Sequence, residues 1–548
     1  MTRREAIALA AAPALAAPDE PAPIDPAAVA RHDANVERLM KGQVTDRASR
    51  YYGAFPDAFG IHAPGVAGGL IHAFALALMY KDSRYYRNAE VAERLRAAAE
   101  FLRRSQNERG NIYLPTTNFD SPPDTAFTVL GVATAALIAR QFGRRDISAL
   151  LEPFLLKAGG ALAVGGVHTP NHRWVVCQAL AQINELYPDP RYVRRIDQWL
   201  AETIDIDEDG QYNERSTLVY NVITNRALIV TAHKLKRWEL LEPVRRNLES
   251  MLYLIHPGNE VVTEISRRQD RNTRGDLAGY WFPLQYMAIR DQDGRFASLA
   301  RQYVQRAALG ELLEYPELRK PLPPSAPLPE NYEKEMRAIG VTRIRRGLSS
   351  ATLHHAEASA FFSVRRGAAV VNAVRFASAF FGKGQFRPQT YERRGGVRVL
   401  TQTLEGPYYQ PLDPPRPVPA HEFDKVRPER RRTEICRLTQ TATITETANG
   451  FTLRIEAAGT DNVPVSVEIN LREGGSLEGA ELVSNDVYVL PTGATATFRS
   501  GADQIRIGPG LKEHTYTAVR GAEAKLGGPS LYLTGTTPFT HTLQFVLG

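Results

Sequence analysis

Apolar residues recur at helical spacing over 66–80, 89–102, 124–141, 172–186, 196–203, 218–235 and 240–254. Such recurrence places them on one face of a helix. Turn signals separate the runs, among them Tyr187-Pro188-Asp189-Pro190 and His256-Pro257-Gly258-Asn259. A weak repeat is visible: Arg84-Tyr85-Tyr86-Arg87 leads into a helix, Phe101-Leu102 and then Gly110-Asn111-Ile112-Tyr113, while Arg191-Tyr192-Val193-Arg194 leads into a helix, Trp199-Leu200 and then Gly210-Gln211-Tyr212. Repeated helical hairpins bury their apolar faces only by stacking. A stack that closes on itself is an alpha/alpha toroid, and an open solenoid fits the same pattern.

From about residue 340 the pattern changes to short, β-branched, often alternating runs punctuated by Gly, Asn and Asp, for example 368–376, 434–447, 451–458, 465–471, 481–490, 515–519 and 539–546. Many short strands without a long helix indicate a β-sandwich. Between the two regions, Pro316, Pro321, Pro323, Pro324, Pro327 and Pro329 mark a stiff linker. The chain therefore reads as a multidomain α and β protein: an N-terminal alpha/alpha toroid over 30–315, a Pro-rich linker over 316–335 and a C-terminal antiparallel β-sandwich over 336–548.

Composition narrows the setting. Of the 548 residues 43% are hydrophobic and 23% charged, as in a water-soluble globular chain, and the formal charge of +7 favours an anionic partner, with a merely Arg-rich composition as the alternative. Residues 1–20 read as a signal peptide: Arg3-Arg4, a short apolar run from Ala6, then small residues through Ala17. The paired arginines resemble an abbreviated twin-arginine signal, an ordinary secretory signal being the alternative. The expectation is an exported protein, periplasmic or secreted, with no later segment apolar enough to span a bilayer and no stable membrane insertion. Cys177 and Cys436 are the only cysteines, so there is no disulfide framework, and Cys177 lies in an apolar helical run where it acts as a small hydrophobe.

Against this scaffold two segments carry chemistry. Asn171-His172-Arg173-Trp174 follows a Gly/Pro-rich approach, and Asp209-Gly210-Gln211-Tyr212-Asn213-Glu214-Arg215-Ser216-Thr217-Leu218-Val219-Tyr220 follows a turn. Pro170 opens a helix, so Asn171 and His172 sit at its positive end, suited to an anion; capping is the plainer role for Asn171. Tyr220 is a proton carrier only beside cations or in a desolvated site, and otherwise an interior aromatic. An amide, an imidazole, a phenol and a guanidinium together suit removal of a proton alpha to a carboxylate.

The run Glu214-Arg215-Ser216-Thr217-Leu218-Val219-Tyr220-Asn221 resembles the segment that carries the catalytic tyrosine in alginate lyases and heparinases of the heparinase II/III-like superfamily, and Asn171-His172 resembles its carboxylate-neutralising pair. The domain order is similar as well. The resemblance implies a polysaccharide lyase acting on a uronate-containing acidic polysaccharide or oligosaccharide by β-elimination. Tyr220 would transfer the proton, Asn171 and His172 would neutralise the carboxylate, and His172 would be a candidate second acid/base. Arg215, Glu214, Arg267, Arg268 and Arg271 are the expected substrate-binding residues; the last three lie in Glu264-Ile265-Ser266-Arg267-Arg268-Gln269-Asp270-Arg271, which reads equally as a solvated loop of internal ion pairs.

Neither a phosphate-binding glycine loop nor a nucleic-acid motif stands out, and no cofactor is expected. The adjacent His354 and His355 are a weak metal signal, which leaves a structural ion open. Two other readings stay open: a glycoside hydrolase on the toroid, using carboxylates from among Asp124, Asp209, Glu214 and Asp270, and a non-catalytic glycan-binding protein.

Overall fold

The computed structural model describes residues 21–356 and 358–548, so the expected signal peptide lies outside the described residues. The chain divides into two compact units. The first runs up to Met251 and resumes over Thr263–Leu328; the second comprises Leu252–Val262 and Pro329–Gly548.

The first unit holds twelve α-helices among the described residues: α1 (Pro26–Gly42), α2 (Pro64–Met79), α3 (Ala89–Ser105), α4 (Pro122–Gln141), α5 (Arg145–Leu162), α6 (Pro170–Leu186), α7 (Pro190–Ala201), α8 (Tyr220–Leu235), α9 (Leu241–Met251), α10 (Trp281–Asp291), α11 (Gly294–Gln302) and α12 (Leu309–Glu314). Helices α2, α4, α6 and α8 pack successively side by side, and each is backed by the helix that follows it. The inner helices are buried almost all round, as in the seven consecutive buried residues 73–79 of α2, whereas α3 buries chiefly one side, including Val91, Leu95, Ala98 and Leu102. Helix α10 packs on α8 and α9, and α12 returns to α1, α2 and α4, which closes the ring as an alpha/alpha toroid.

Helix α4 corrects one expectation. It is long and apolar enough to cross a membrane by composition, but its most apolar window is 72% buried inside the unit, as an inner-ring helix must be. Helices α1 and α5 were not expected from the pattern. Asp25 caps α1 through a 2.9 Å bond to the Ala27 N–H, and α5 runs through Pro153 while burying Ile147, Leu151, Phe154 and Leu155.

The sequence repeat is a repeated turn. Gly110 and Gly210 each close a tight turn after an outer helix, with φ of 98° and 81°. The Gly110 N–H donates to Asn107 O at 3.0 Å, and the Gly210 N–H to Asp207 O at 3.1 Å. A Cβ would stand 2.4 Å from Lys157 O on α5 at the first and 2.5 Å from Arg246 O on α9 at the second. Only glycine allows both the backbone conformation and this approach. Each turn thereby seats the segment leading to the next inner helix.

The second unit is a pair of mostly antiparallel sheets, one of eight strands and one of ten. The central strands of the first are Asp503–Gly508, Phe539–Leu547, Gly450–Gly459, Arg432–Thr447 and Val397–Tyr409, in that order; those of the second are Ser530–Thr536, Pro464–Leu471, Ala369–Ser378, Phe362–Arg366 and Ser349–His354. Phe362 of the ten-stranded sheet meets Phe451 and Phe545 of the eight-stranded sheet edge-on in the shared core, at 5.6 and 5.7 Å between ring centroids. The first strand of the unit begins at Asn331. The run at 481–490 is two short strands, Glu481–Ser484 and Val487–Val489, broken by Asp486 at φ 56°. The run at 515–519 is not a strand; its backbone follows the His514 side chain, whose Nδ1 accepts the Tyr516 N–H at 3.2 Å.

Replacing Gly210 by Ala forces a Cβ against Arg246 O and a left-handed alanine, so the Gly210→Ala protein should lose more than about 1 kcal/mol of stability. A thermal unfolding midpoint several degrees lower than wild type is the expected outcome; an unchanged midpoint would contradict the turn's role.

Candidate active site

Because each inner helix follows an outer return, the N-terminal ends of α4, α6 and α8 lie at one end of the ring. Helices α4 and α6 begin with proline, whose missing N–H and fixed φ suit a first helical position. Asn171 and His172 are then the second and third residues of α6, one turn from its positive end. Thr169 occupies the cap position, so Asn171 is not the cap.

Asn171 is buried and reaches the segment after the Gly210 turn: its Nδ2 donates to Glu214 Oε2 at 2.7 Å and to Thr169 Oγ1 at 3.2 Å. Glu214 is 6% exposed. Burial raises its pKa, and the Asn171 hydrogen bond and the Arg268 charge oppose this without reversing it. Arg268 Nε lies 3.4 Å from Glu214 Oε1, an ion pair too poorly aligned to be a hydrogen bond. The same guanidinium covers the Tyr220 ring, with Cζ 5.1 Å from its centroid. Gln269 Nε2 donates to the Tyr220 hydroxyl at 2.7 Å. One loop thus touches both the carboxyl group and the phenol.

That loop is held by Asp270, which is buried. Its Oδ2 accepts from Ser216 Oγ at 2.9 Å and from the Leu218 N–H at 3.1 Å, and its Oδ1 accepts from Ser266 Oγ at 2.5 Å. Ser216 Oγ in turn accepts the Tyr220 N–H at 3.0 Å, which caps the start of α8 from four residues upstream. Arg215 sits between these groups in a left-handed conformation with φ 50°, and burial and the Arg267 charge lower its pKa.

His172 is 8% exposed. Its ring meets His168 edge-on at 4.8 Å and Phe127 of α4 at 5.8 Å. Burial first, then the neighbouring His168, pushes the imidazole down to about 4, with Asp124 acting against them and Arg268 with them. The imidazole is therefore neutral near pH 7. Asp124 itself accepts from Asn118 Nδ2 at 2.9 Å and Ser121 Oγ at 2.5 Å.

The structure thus links Asn171, Glu214, Arg268 and Tyr220 by direct contact, with His172 adjacent to Asn171 and within reach of the Arg268 charge. Arg267 and Arg271 point outward and are exposed; Arg267 Nη1 makes only a long 3.4 Å bond to Asn213 O. His168, Gln269 and Phe127 were not foreseen. Asp270 was read as a candidate catalytic carboxylate, and its oxygens are instead occupied in fixing the loop. Four polar atoms of the cluster, Asn171 Oδ1, His172 Nδ1, Glu214 Oε1 and Arg268 Nε, are buried without a hydrogen-bond partner among the described residues. No cluster of three or more metal-ligating His, Cys, Asp or Glu occurs among the described residues.

No protein-family model and no curated protein matches the sequence. Solved structures do match the fold. A chondroitin AC lyase from Streptomyces coelicolor A3, in complex with chondroitin sulphate, superposes with a TM-score of 0.57 at 12% identity, over 97% of this chain and 80% of that one. A heparan sulfate lyase mutant from Pedobacter heparinus gives 0.52 at 12% identity, over 97% and 85%. A Paenibacillus xanthan lyase gives 0.55 at 11% identity, over 95% and 56%. The chain shares the toroid-plus-sandwich fold of these polysaccharide lyases.

The depressed His172 sets a pH dependence. The unfolded chain takes up this proton near the ordinary value of 6.5, the folded chain only near 4, so stability that is full above 6.5 is lost as the pH falls toward 4. His172→Gln removes one proton from that linkage. Its stability, measured by denaturant titration, should fall less steeply than wild type between pH 6.5 and 4; equal slopes would contradict the buried neutral imidazole.

Proposed function

We propose that this protein is a polysaccharide lyase that cleaves a uronate-containing acidic glycan by β-elimination at the Asn171–Glu214–Arg268–Tyr220 cluster. The observation that carries the reading is the convergence, in direct contact, of an amide, a carboxyl group whose pKa burial raises, a guanidinium and a phenol. The lyases that share the fold support the reaction class.

The C5 proton of a uronate is too weakly acidic while the C6 carboxylate keeps its full charge. Arg268 offers a cation to that carboxylate. Glu214, with its pKa raised by burial, supplies the second part. Once protonated, its O–H donates to Asn171 Oδ1 and frees an amide N–H to face the substrate; amide orientation is set by such networks. His172, neutral near pH 7, is available to accept the C5 proton. The electrons of the broken C5–H bond form the C4–C5 double bond as the C4–O4 bond breaks. The Tyr220 hydroxyl, fixed by Gln269, gives its proton to the departing O4. Arg215, Arg267 and Arg271 bind flanking acidic groups. No water is consumed. An exported location, periplasmic or secreted, fits a polymeric acidic substrate.

Digestion of alginate, glucuronan, heparan and chondroitin, followed by ultraviolet absorbance of the unsaturated uronate, tests the reading. Absorbance should rise with at least one substrate; chain shortening without it would indicate hydrolysis. Tyr220→Phe should lower kcat by roughly a hundred- to ten-thousand-fold with KM nearly unchanged, and substantial residual turnover would remove Tyr220 as the proton carrier. Arg267→Ala should raise KM about three- to tenfold with little effect on kcat; an unchanged KM would mean a solvated loop.

A further inference from the structure

The C-terminal end of α8 carries a second concentration of chemistry, far from the cluster at its start. His233 lies thirteen positions beyond Tyr220, about 20 Å along the helix at 1.5 Å per residue. An open groove of about 440 Å³ is lined there by the last turns of α8 and α10 and by two short 3-10 turns, Trp238–Leu240 and Pro316–Arg319. Its walls include His233, Trp238, Ile289, Arg290, Glu317 and Lys320.

The aromatic part of this groove is open to solvent. Trp238 is 39% exposed, a large apolar surface to leave in water. It is brought to the helix end by Lys236, which takes a left-handed conformation, φ 60°, at the C-cap of α8, a position where glycine is usual. The His233 ring meets Trp238 edge-on at 6.3 Å. Arg290 from α10 lies over the indole, with Cζ 4.8 Å from the ring centroid, and Lys236 Nζ lies 5.7 Å from it. A guanidinium held against a ring keeps the N–H groups along its edge for an anion.

The charges around the groove are unevenly matched. Neighbouring cations are paired: Lys234 with Glu185 at 2.6 Å, Arg237 with Asp197 at 2.6 Å and Arg245 with Asp291 at 2.7 Å. Lys236, Arg290 and Lys320 have no carboxylate partner among the described residues. Glu317, the carboxylate in the wall, is taken by His233 Nε2 at 3.1 Å. Even with the exposed Glu239 beside Trp238 counted, positive charge is in excess. An apolar wall of Trp238 and Ile289 with cations at its edge has a natural complement. A hexuronate residue presents a face of C–H groups and a carboxylate; a peptide carboxylate offers the charge without the ring face.

We propose that this groove is a second, non-catalytic binding site for an acidic glycan, in which a uronate residue lies against Trp238 and its carboxylate is held by Arg290 and Lys320. A polymer gripped there stays close to the toroid between encounters with the rim, which raises its local concentration. The site involves neither Tyr220 nor Asn171, and it holds or fails whatever the rim cluster does.

The probe is a disaccharide with glucuronate at its non-reducing end. Its O4 is unsubstituted, so elimination has no sugar to expel and the probe stays whole. Cellobiose is the neutral control and tetraglutamate the peptide control, all used with the full protein. Tryptophan fluorescence is titrated in wild type and in Trp238→Phe, and the difference isolates the signal of Trp238. That signal should change saturably with the glucuronate disaccharide and not with cellobiose. The affinity should fall at least about tenfold in Arg290→Ala, which removes a charged hydrogen-bond donor. Absence of a saturable Trp238 signal, an equal response to cellobiose, tighter binding of tetraglutamate, or unchanged affinity in Arg290→Ala would each overturn the proposal. Should Arg290→Ala fail to fold, crystals of the wild type soaked in the disaccharide decide: the carboxylate should lie at hydrogen-bond distance from Arg290, and an empty groove would overturn the proposal.

Discussion

The hydrogen bond from Asn171 Nδ2 to Glu214 Oε2, 2.7 Å long and spanning 43 residues of sequence, is the joint on which the rim of the toroid is arranged. It ties the first turn of α6 to the segment that enters α8. It also keeps a carboxyl group in a place where burial disfavours its charge. A buried carboxyl group with one neutral donor and one badly aligned guanidinium is poorly satisfied. Such a group is costly to a scaffold and useful to a site, because its protonation state responds to what binds. The Asp270 hydrogen bonds do the complementary work: they fix the loop that carries Arg268 and Gln269, so that both reach Tyr220.

The ring explains why these groups meet. Inner helices that all start at one end gather their N-termini, and with them residues distant in sequence: Phe127 from α4, Asn171 and His172 from α6, Tyr220 from α8. The same packing leaves polar side chains further along the axis, where His72, Gln178 and Gln182 line an interior hollow. The inner helices are thus apolar toward their neighbours and polar at two levels along the axis.

Much of this was readable from the chain. The inner helices showed in the periodicity because their apolar positions are dense and their ends are marked by proline or a turn. The Gly110 and Gly210 turns showed as a repeat because the geometry admits only glycine. Helix α5 did not, because Pro153 and Gly159-Gly160 read as breakers, while the burial of Phe154 and Leu155 against the ring overrides them. Asn171, Glu214 and Tyr220 were legible as polar groups set on a plain scaffold, and the fold links them through Arg268. The role of Asp270 was not: its partners Ser216 and Leu218 lie more than fifty residues away, and no local pattern encodes that contact. The sequence likewise left Arg267, Arg268 and Arg271 equivalent, whereas the fold turns only Arg268 toward Glu214 and Tyr220. The tertiary course of an irregular loop decides which of several adjacent arginines faces inward.

The central claim is that the rim cluster breaks a glycosidic bond by elimination. Digesting a uronate glycan in water enriched in heavy oxygen, then weighing the fragments by mass spectrometry, addresses it without reference to any single residue. The account predicts that each cleavage yields an unsaturated end and that no fragment carries the heavy isotope. Incorporation of one heavy oxygen at every cut would show that water is the attacking group, and would contradict it.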